Sequence, residues 1–345
     1  MNLIFDKTNH HFKQNLPFVL YRKPNEINII GVFQKNADLH LINDFSEKGF
    51  AFCSFDGNTN IIIPENKSEV FLFENNFPKE ILESNSFESE YSEFDFVNLV
   101  SKGIEAIKNN EFQKVVLSRK EIIKLKDSDL VSIFIKLIQN YKSAFCYCFF
   151  HPKIGLWFGA TPEQLVQVSE TEFQTVSLAG TQKFENSTPV VWQEKEKLEQ
   201  KFVTDFILEN LNSIDQNIQA SEPFTIQAGN LLHIKSTISG NLNSDFNLKK
   251  LLEILHPTPA VCGLPRDESK KFILENENYN REFYAGFLGE INTNNKTDLF
   301  VNLRCMQFVA NFAHIYVGCG VTKDSIAENE FQETVNKSMT MKIIL

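Results

Sequence analysis

The sequence predicts a mixed α+β fold. Three observations point there: short apolar runs separated by polar turns fill the first quarter, helical and strand-like segments then follow in blocks, and strand-like runs dominate from 283 to 321. The strict strand–helix alternation of a doubly wound parallel sheet is missing. A chain of 345 residues, 42% of them hydrophobic, can bury a large core around such elements.

Residues 1–90 carry NIIGVF, GFAFCSF, NIIIP and EVFLF between polar turns, a β-rich part with no catalytic signature. A polar stretch over 76–95 is the one internal boundary the sequence suggests, and 91–345 is the region that carries chemistry, within what reads as one structural domain. Val97, Val100, Ile104 and Ile107 fall on one helical face, with Asp95 three residues after a capping Ser92, which predicts a helix over 95–109. KVVLSRKEIIKL (114–125) reads as a strand, 128–140 as a helix, and the runs at 143–150 and 154–160 as a hairpin. Helices are expected over 193–211, where Leu198, Phe202, Phe206 and Leu208 recur, over 246–255, and in the C-terminal SIAENEFQETVNKSMTMKII.

Composition excludes several functions. The net charge is −10 and no block of Lys and Arg forms a basic stripe, so nucleic acid is not an expected partner. An acidic protein that binds an acidic metabolite must place local positive charge or a metal in its site. No apolar run of about 18 residues occurs and the N-terminus lacks a basic start followed by an apolar core; no membrane partner and a cytoplasmic location are expected. Cysteines 53, 146, 148, 262, 305 and 319 form no CxxC pair and no metal spacing with the seven His, so buried reduced thiols are expected.

Five local features bear on chemistry. Lys114 opens a strand; it reads either as an edge lysine facing water or, if desolvated, as a base active near neutrality. GATPEQL (159–165) is a turn that aims Glu163, a solvated glutamate unless burial makes it a general acid. Glu196 and Glu199 share a helical face, as do Glu330, Glu333 and Lys337; each set is an ordinary charged surface unless the two meet across a cleft, where their oxygens would suit Mg²⁺. Arg304, within the apolar VNLRCMQF, needs a carboxylate partner if buried. HPTPAVCGLP (256–265) is a rigid loop, and GCG (318–320) leaves backbone open to close approach by an anion.

Taken in order, KVVLSR, GATPEQL, SLAGTQ (177–182), KEKLEQ (195–200), HIKSTISG (233–240), HPTPAVCGLP, REFYAGFLG (281–289), NLRC (302–305), GCG and ENEFQETVNK (328–337) resemble the chorismate-utilising enzymes. That family includes isochorismate, salicylate, anthranilate and aminodeoxychorismate synthases, and the likeness covers roughly 95–345. It implies two-layered antiparallel β-sheets with helices packed outside and a site in a cleft. It implies further that Lys114 is the general base toward water and Glu163 the general acid. Glu196, Glu199, Glu330 and Glu333 would hold Mg²⁺. Gly180, Thr181, Ala260, Tyr284, Arg304, Gly318, Gly320 and Lys337 would contact chorismate and its carboxylates.

Ammonia-using relatives typically carry glutamine at the Lys114 position, and they and the salicylate synthases often carry a hydroxyl residue at that of Ala260. The resemblance therefore implies an isomerase that forms isochorismate, with salicylate synthesis as the alternative and no amidotransferase subunit as partner. Relatives often have Asp and His where this chain has Glu196 and Gln200, and Ser or Gly where it has Cys262. A catalytically dead binding subunit of the same fold is disfavoured by the retention of Lys114, Glu163 and the four glutamates.

Overall fold

The computed structural model describes residues 3–75, 89–90, 92–125, 129–183, 190–212, 217–228, 231–243 and 246–345. Most of the 76–95 stretch and the side chains of Thr181 and Glu199 lie outside the described residues. The helices are α1 (Leu3–Lys13), α2 (Glu93–Lys108), α3 (Leu130–Asn140), α4 (Glu194–Asn212), α5 (Leu248–Leu255), α6 (Arg266–Asn276) and α7 (Ala327–Lys342). The strands are β1 (Phe18–Arg22), β2 (Asn28–Gln34), β3 (His40–Leu41), β4 (Gly49–Cys53), β5 (Asn60–Pro64), β6 (Ser68–Glu74), β7 (Ser89–Glu90), β8 (Lys114–Lys124), β9 (Phe145–His151) and β10 (Gly155–Thr161). They continue as β11 (Gln164–Ser169), β12 (Glu172–Lys183), β13 (Gln219–Ala220), β14 (Phe224–Ala228), β15 (Leu231–Asn241), β16 (Gly263–Leu264), β17 (Phe287–Thr293), β18 (Lys296–Val301), β19 (Cys305–Val309) and β20 (Phe312–Val321).

Among the described residues all pairings are antiparallel, in two ten-stranded sheets. The first runs β16-β8-β20-β19-β10-β9-β1-β2-β6 with β7 added beside β8, the second β13-β15-β12-β11-β18-β17-β4-β5-β3 with β14 beside β15. This is the expected two-layered α+β architecture. Strands β9 and β10 form the predicted hairpin, and Ser92 caps α2 by accepting from the Asp95 amide at 3.1 Å. No helix among the described residues is long and apolar enough to cross a membrane.

The phenylalanines explain how the layers join. Every residue of β9 is buried: Phe145, Tyr147 and Phe149 enter the inter-sheet core, and Cys146, Cys148 and Phe150 enter a second cluster with α1 and α3. Phe52 stacks on Phe283 at 4.3 Å and on Phe149 at 4.4 Å, and Phe145 on Phe300 at 4.5 Å. Each ring so buried stabilises the fold by about 2 kcal/mol. All six cysteines are buried and free of disulfides, as expected.

Three features depart from the sequence expectation. The β-rich N-terminal part begins with a helix, α1, that buries Ile4, Phe5, Thr8 and His11. Its inner face contains two polar residues, which weakened the periodic signal. Helix α6 is missed for a similar reason, since only Ser269 and Ile273 of RDESKKFILEN are buried. Arg304 is not inside a strand: β18 ends at Val301, β19 begins at Cys305, and Arg304 stands between them at φ 48°.

Candidate active site

Two chain crossings between the sheets build the centre of the site. Strand β10 lies in the first sheet beside β19, and β11 lies in the second beside β18, so both connections step from one layer to the other side by side. Glu163 occupies the first connection and Arg304 the second. Stitches bind them: the Ala160 amide donates to the Arg304 carbonyl at 3.0 Å, the Val301 amide to the Glu163 carbonyl at 2.9 Å, and the Thr161 hydroxyl to the Val301 carbonyl at 2.6 Å. Buried Asn302 accepts from Tyr147 at 2.7 Å and donates to the Phe283 carbonyl at 2.9 Å, fixing the start of the second crossing.

Lys114 begins β8, paired with Leu264 of β16, and its carbonyl accepts from Ser269 at 2.9 Å. A β-carbon on Gly320 would lie 3.3 Å from Lys114 Cε and 3.8 Å from Nζ, so the glycine is the floor beneath the amine. One on Gly318 would lie 2.9 Å from the Tyr284 hydroxyl. Lys337 of α7 donates to the Gly318 carbonyl at 3.0 Å and pairs with Glu333 at 2.5 Å. Helix α7 is itself tied to β8, because Arg119 donates to Thr334 at 2.7 Å and Lys342 pairs with Glu121 at 2.5 Å.

Burial raises the Glu163 carboxyl from its ordinary 4.5 to about 7, against the opposing pull of Arg304, Lys114 and Lys337. Those three cations, drawn from separate elements, thus surround one carboxyl. Arg304 is held below its usual range by burial, opposed by Tyr284, Glu333 and Glu163, and forms no ion pair within 4 Å among the described residues. The carboxylate partner expected for it is therefore nearby charge rather than a bound salt bridge. Burial also pushes the Tyr284 phenol well up, so it is a neutral donor. Together the site offers an amine, a carboxyl able to hold a proton near neutrality, and two further cations.

Ala260 lines a small cavity behind Glu163, together with Thr258 and Pro259. Its volume of about 20 Å³ has room for roughly one water molecule and excludes a six-membered ring. The loop carrying these residues is clamped by Arg281, which donates to the Val261 carbonyl at 2.9 Å and the Val116 carbonyl at 2.6 Å while pairing with Glu277 at 2.6 and 2.8 Å. His256 donates Nε2–H to the Ala285 carbonyl at 3.0 Å, and burial lowers it to about 4, keeping it neutral. Arg281, Glu277, Asn302 and Thr258 were not singled out in the sequence; Arg281, Asn302 and Thr258 stand inside quoted motifs, but nothing local showed that the partners of Arg281 come from three elements.

The acidic residues are brought partly together. Glu330 and Glu333 share one face of α7, where burial, the Ser325 hydroxyl and the like charge of Glu333 act on Glu330, with a net rise above its usual range. Glu196 opens α4 beside Gly180, whose φ of 70° sits at a bulge in β12 and where a β-carbon would meet Glu196 Cβ at 3.1 Å. Glu196 Oε2 is buried without a hydrogen-bond partner. Among the described residues no three acidic, His or Cys side chains form a ready metal cluster, with the Glu199 side chain outside that set. An orphaned buried carboxylate oxygen and an all-oxygen donor set fit a hard cation such as Mg²⁺.

A half-buried acid with a raised carboxyl, within electrostatic reach of an amine and two further cations where the chain crosses between two antiparallel sheets, defines an enzyme-like site for a small anionic compound. The chain belongs to the chorismate binding enzyme family, which it matches over residues 58–345. It is 28% identical over 264 residues to anthranilate synthase component 1 of Lactococcus lactis, covering 73% of this chain and 58% of that protein. It is 28% identical over 266 residues to the isochorismate synthase DhbC of Bacillus subtilis, covering 72% and 66%. The chain thus spans less than two thirds of the length of either relative. The crystal structure of MenF, the menaquinone-specific isochorismate synthase of Escherichia coli, shares the fold at a TM-score of 0.80 and 19% identity, covering 95% of this chain and 88% of that one.

Proposed function

We propose that this chain converts chorismate to isochorismate, with Lys114 as base toward water and Glu163 as acid toward the departing hydroxyl. The observation that carries this is an amine over Gly320 within electrostatic reach of a carboxyl protonated up to about pH 7. Similar relatives bear both isochorismate and anthranilate synthase names. Lys114 together with Ala260 favours water over ammonia, and disfavours the later loss of pyruvate.

Lys114 takes a proton from water as its oxygen attacks C2, the ring double bonds shift, and the C4 hydroxyl leaves as water with the proton of Glu163. One water enters and one departs, so the product is an isomer; Lys114 and Glu163 then return to their starting states by proton exchange with solvent. Arg304, Lys337 and the Tyr284 hydroxyl hold the enolpyruvyl carboxylate, with backbone at Gly180, Thr181, Gly318 and Gly320. Glu196, Glu199, Glu330 and Glu333 would hold Mg²⁺, which would supply positive charge against the ring carboxylate.

The test is incubation with chorismate and Mg²⁺, with and without ammonium and EDTA, with products identified by chromatography and mass. Isochorismate without pyruvate, lost with EDTA, is expected. Salicylate with pyruvate would replace this assignment by a salicylate synthase, and an aminated product would overturn the role of Lys114.

A further inference from the structure

Thr258 stands at the third position of the HPTPA loop, its backbone fixed because its carbonyl accepts from the Val261 and Cys262 amides at 3.1 and 3.0 Å. Its side-chain oxygen is buried and completes no hydrogen bond. An unsatisfied buried hydroxyl costs about 1–3 kcal/mol of desolvation relative to a bonded one, so its retention calls for a partner in some state of the protein. The small cavity it lines is shared with Glu163 and is otherwise walled mainly by aliphatic side chains such as Leu165, Val203 and Ile254. Among the described residues the carboxyl is the only ionisable group on that wall.

We infer that Thr258 is a positioning residue for Glu163, its hydroxyl rotating to donate to the carboxyl when that group is ionised and disengaging when it is protonated. The inference deepens the assignment of Glu163 as the acid and rests on it for its catalytic meaning. Thr258 and Glu163 line the same cavity, and the hydroxyl acts to lower the carboxyl while completing no hydrogen bond in this conformation, so it is a donor kept in reserve. The other groups facing Glu163 are Lys114 from β8, Lys337 from α7 and Arg304 from the second crossing, all cationic. None of them can follow the state of the carboxyl by a simple bond rotation. The threonine side chain can, by a turn about its Cα–Cβ bond that brings the oxygen into range, and that oxygen can accept as well as donate.

The consequence is a timing role. When Glu163 has delivered its proton, the new carboxylate is largely withdrawn from water and needs a donor at once; Thr258 supplies it from within the cavity, without moving the substrate-facing cations.

Thr258→Val removes the hydroxyl while keeping shape, and because that hydroxyl is unsatisfied the variant should fold as well as the parent. Loss of one donor to a charged acceptor should raise the Glu163 midpoint by about one pH unit, a tenfold change in acid dissociation. Two readouts follow it. The protonated-carboxyl infrared band, assigned by its loss in Glu163→Gln, should persist to higher pH in Thr258→Val and return to the parental midpoint in Thr258→Ser. The alkaline limb of kcat for chorismate should move up by the same amount, again restored by Thr258→Ser. An unmoved or lowered infrared midpoint in Thr258→Val would overturn the inference, as would a uniform loss of rate with an unmoved limb. A shifted band in a protein that does not turn over chorismate would uphold the coupling of Thr258 to Glu163 and overturn the functional assignment alone.

Discussion

Glu277 is a buried carboxylate and Glu163 a half-buried one, and the protein uses them in opposite ways. Glu277 is gripped by Arg281 through two bonds at 2.6 and 2.8 Å and also accepts from the Ser118 amide at 2.7 Å and hydroxyl at 2.9 Å. Its Oε1 accepts three of these bonds and its Oε2 the fourth, so the carboxylate is committed to its protein partners. Glu163 has three cations within electrostatic reach and no ion pair with any of them among the described residues, and burial wins over their combined pull. A carboxylate bonded to its counter-charge is a structural part; one held just short of its counter-charges is free to exchange a proton.

The largest test of this contrast is catalytic. Glu163→Gln and Lys114→Ala should each lower kcat by about 10²- to 10⁴-fold with the fold intact by circular dichroism. Rates near the parental value in either variant would remove that residue from the chemistry. Glu277→Gln should act on stability first: leaving Arg281 buried without its charge partner costs about 3–5 kcal/mol, read as a lower urea midpoint. A midpoint within error of the parent would mean the pair is dispensable and the contrast false.

A smaller effect is expected from pH. Because the folded protein holds the Glu163 proton up to about 7 and the unfolded chain releases it near 4.5, the folded state binds more protons across that window. Stability should therefore fall as pH rises from about 4.5 to 7, and Glu163→Gln should lack that fall, a difference on the order of 1–3 kcal/mol in paired denaturation curves. Parallel curves would show that the carboxyl titrates normally. Smallest of all, Glu333→Gln should raise the Mg²⁺ concentration needed for half-maximal turnover several-fold, and an unchanged magnesium titration would take Glu333 out of the cation site.

Much of the fold was legible because its elements carry strong period. The capped α2, the strand from Lys114 and the β9–β10 hairpin each announce themselves within about a dozen residues. Elements with polar inner faces, α1 and α6, did not. The site was legible in another way: the GATPEQL turn and the lysine were visible as residues, and the ordered series of motifs resembled one family, which the match over 58–345 bears out. What no local pattern held was company. Lys114, Glu163, Arg304 and Lys337 are separated by dozens of residues or more, and only the crossings of the two sheets make them neighbours. Thr258 was hidden for a related reason, since a threonine in a proline-rich loop looks like a turn former until its oxygen is found buried.

The side-by-side crossings also settle what kind of motion would disturb the chemistry. Glu163 and Arg304 ride on a crease between two stiff layers, while Lys114 belongs wholly to one layer. Sliding one layer over the other by a fraction of a side chain would move the carboxyl relative to the amine without breaking a bond in either sheet. The phenylalanine stacks between the layers thereby act as the spacer that sets the gap between the Glu163 carboxyl and the Lys114 amine.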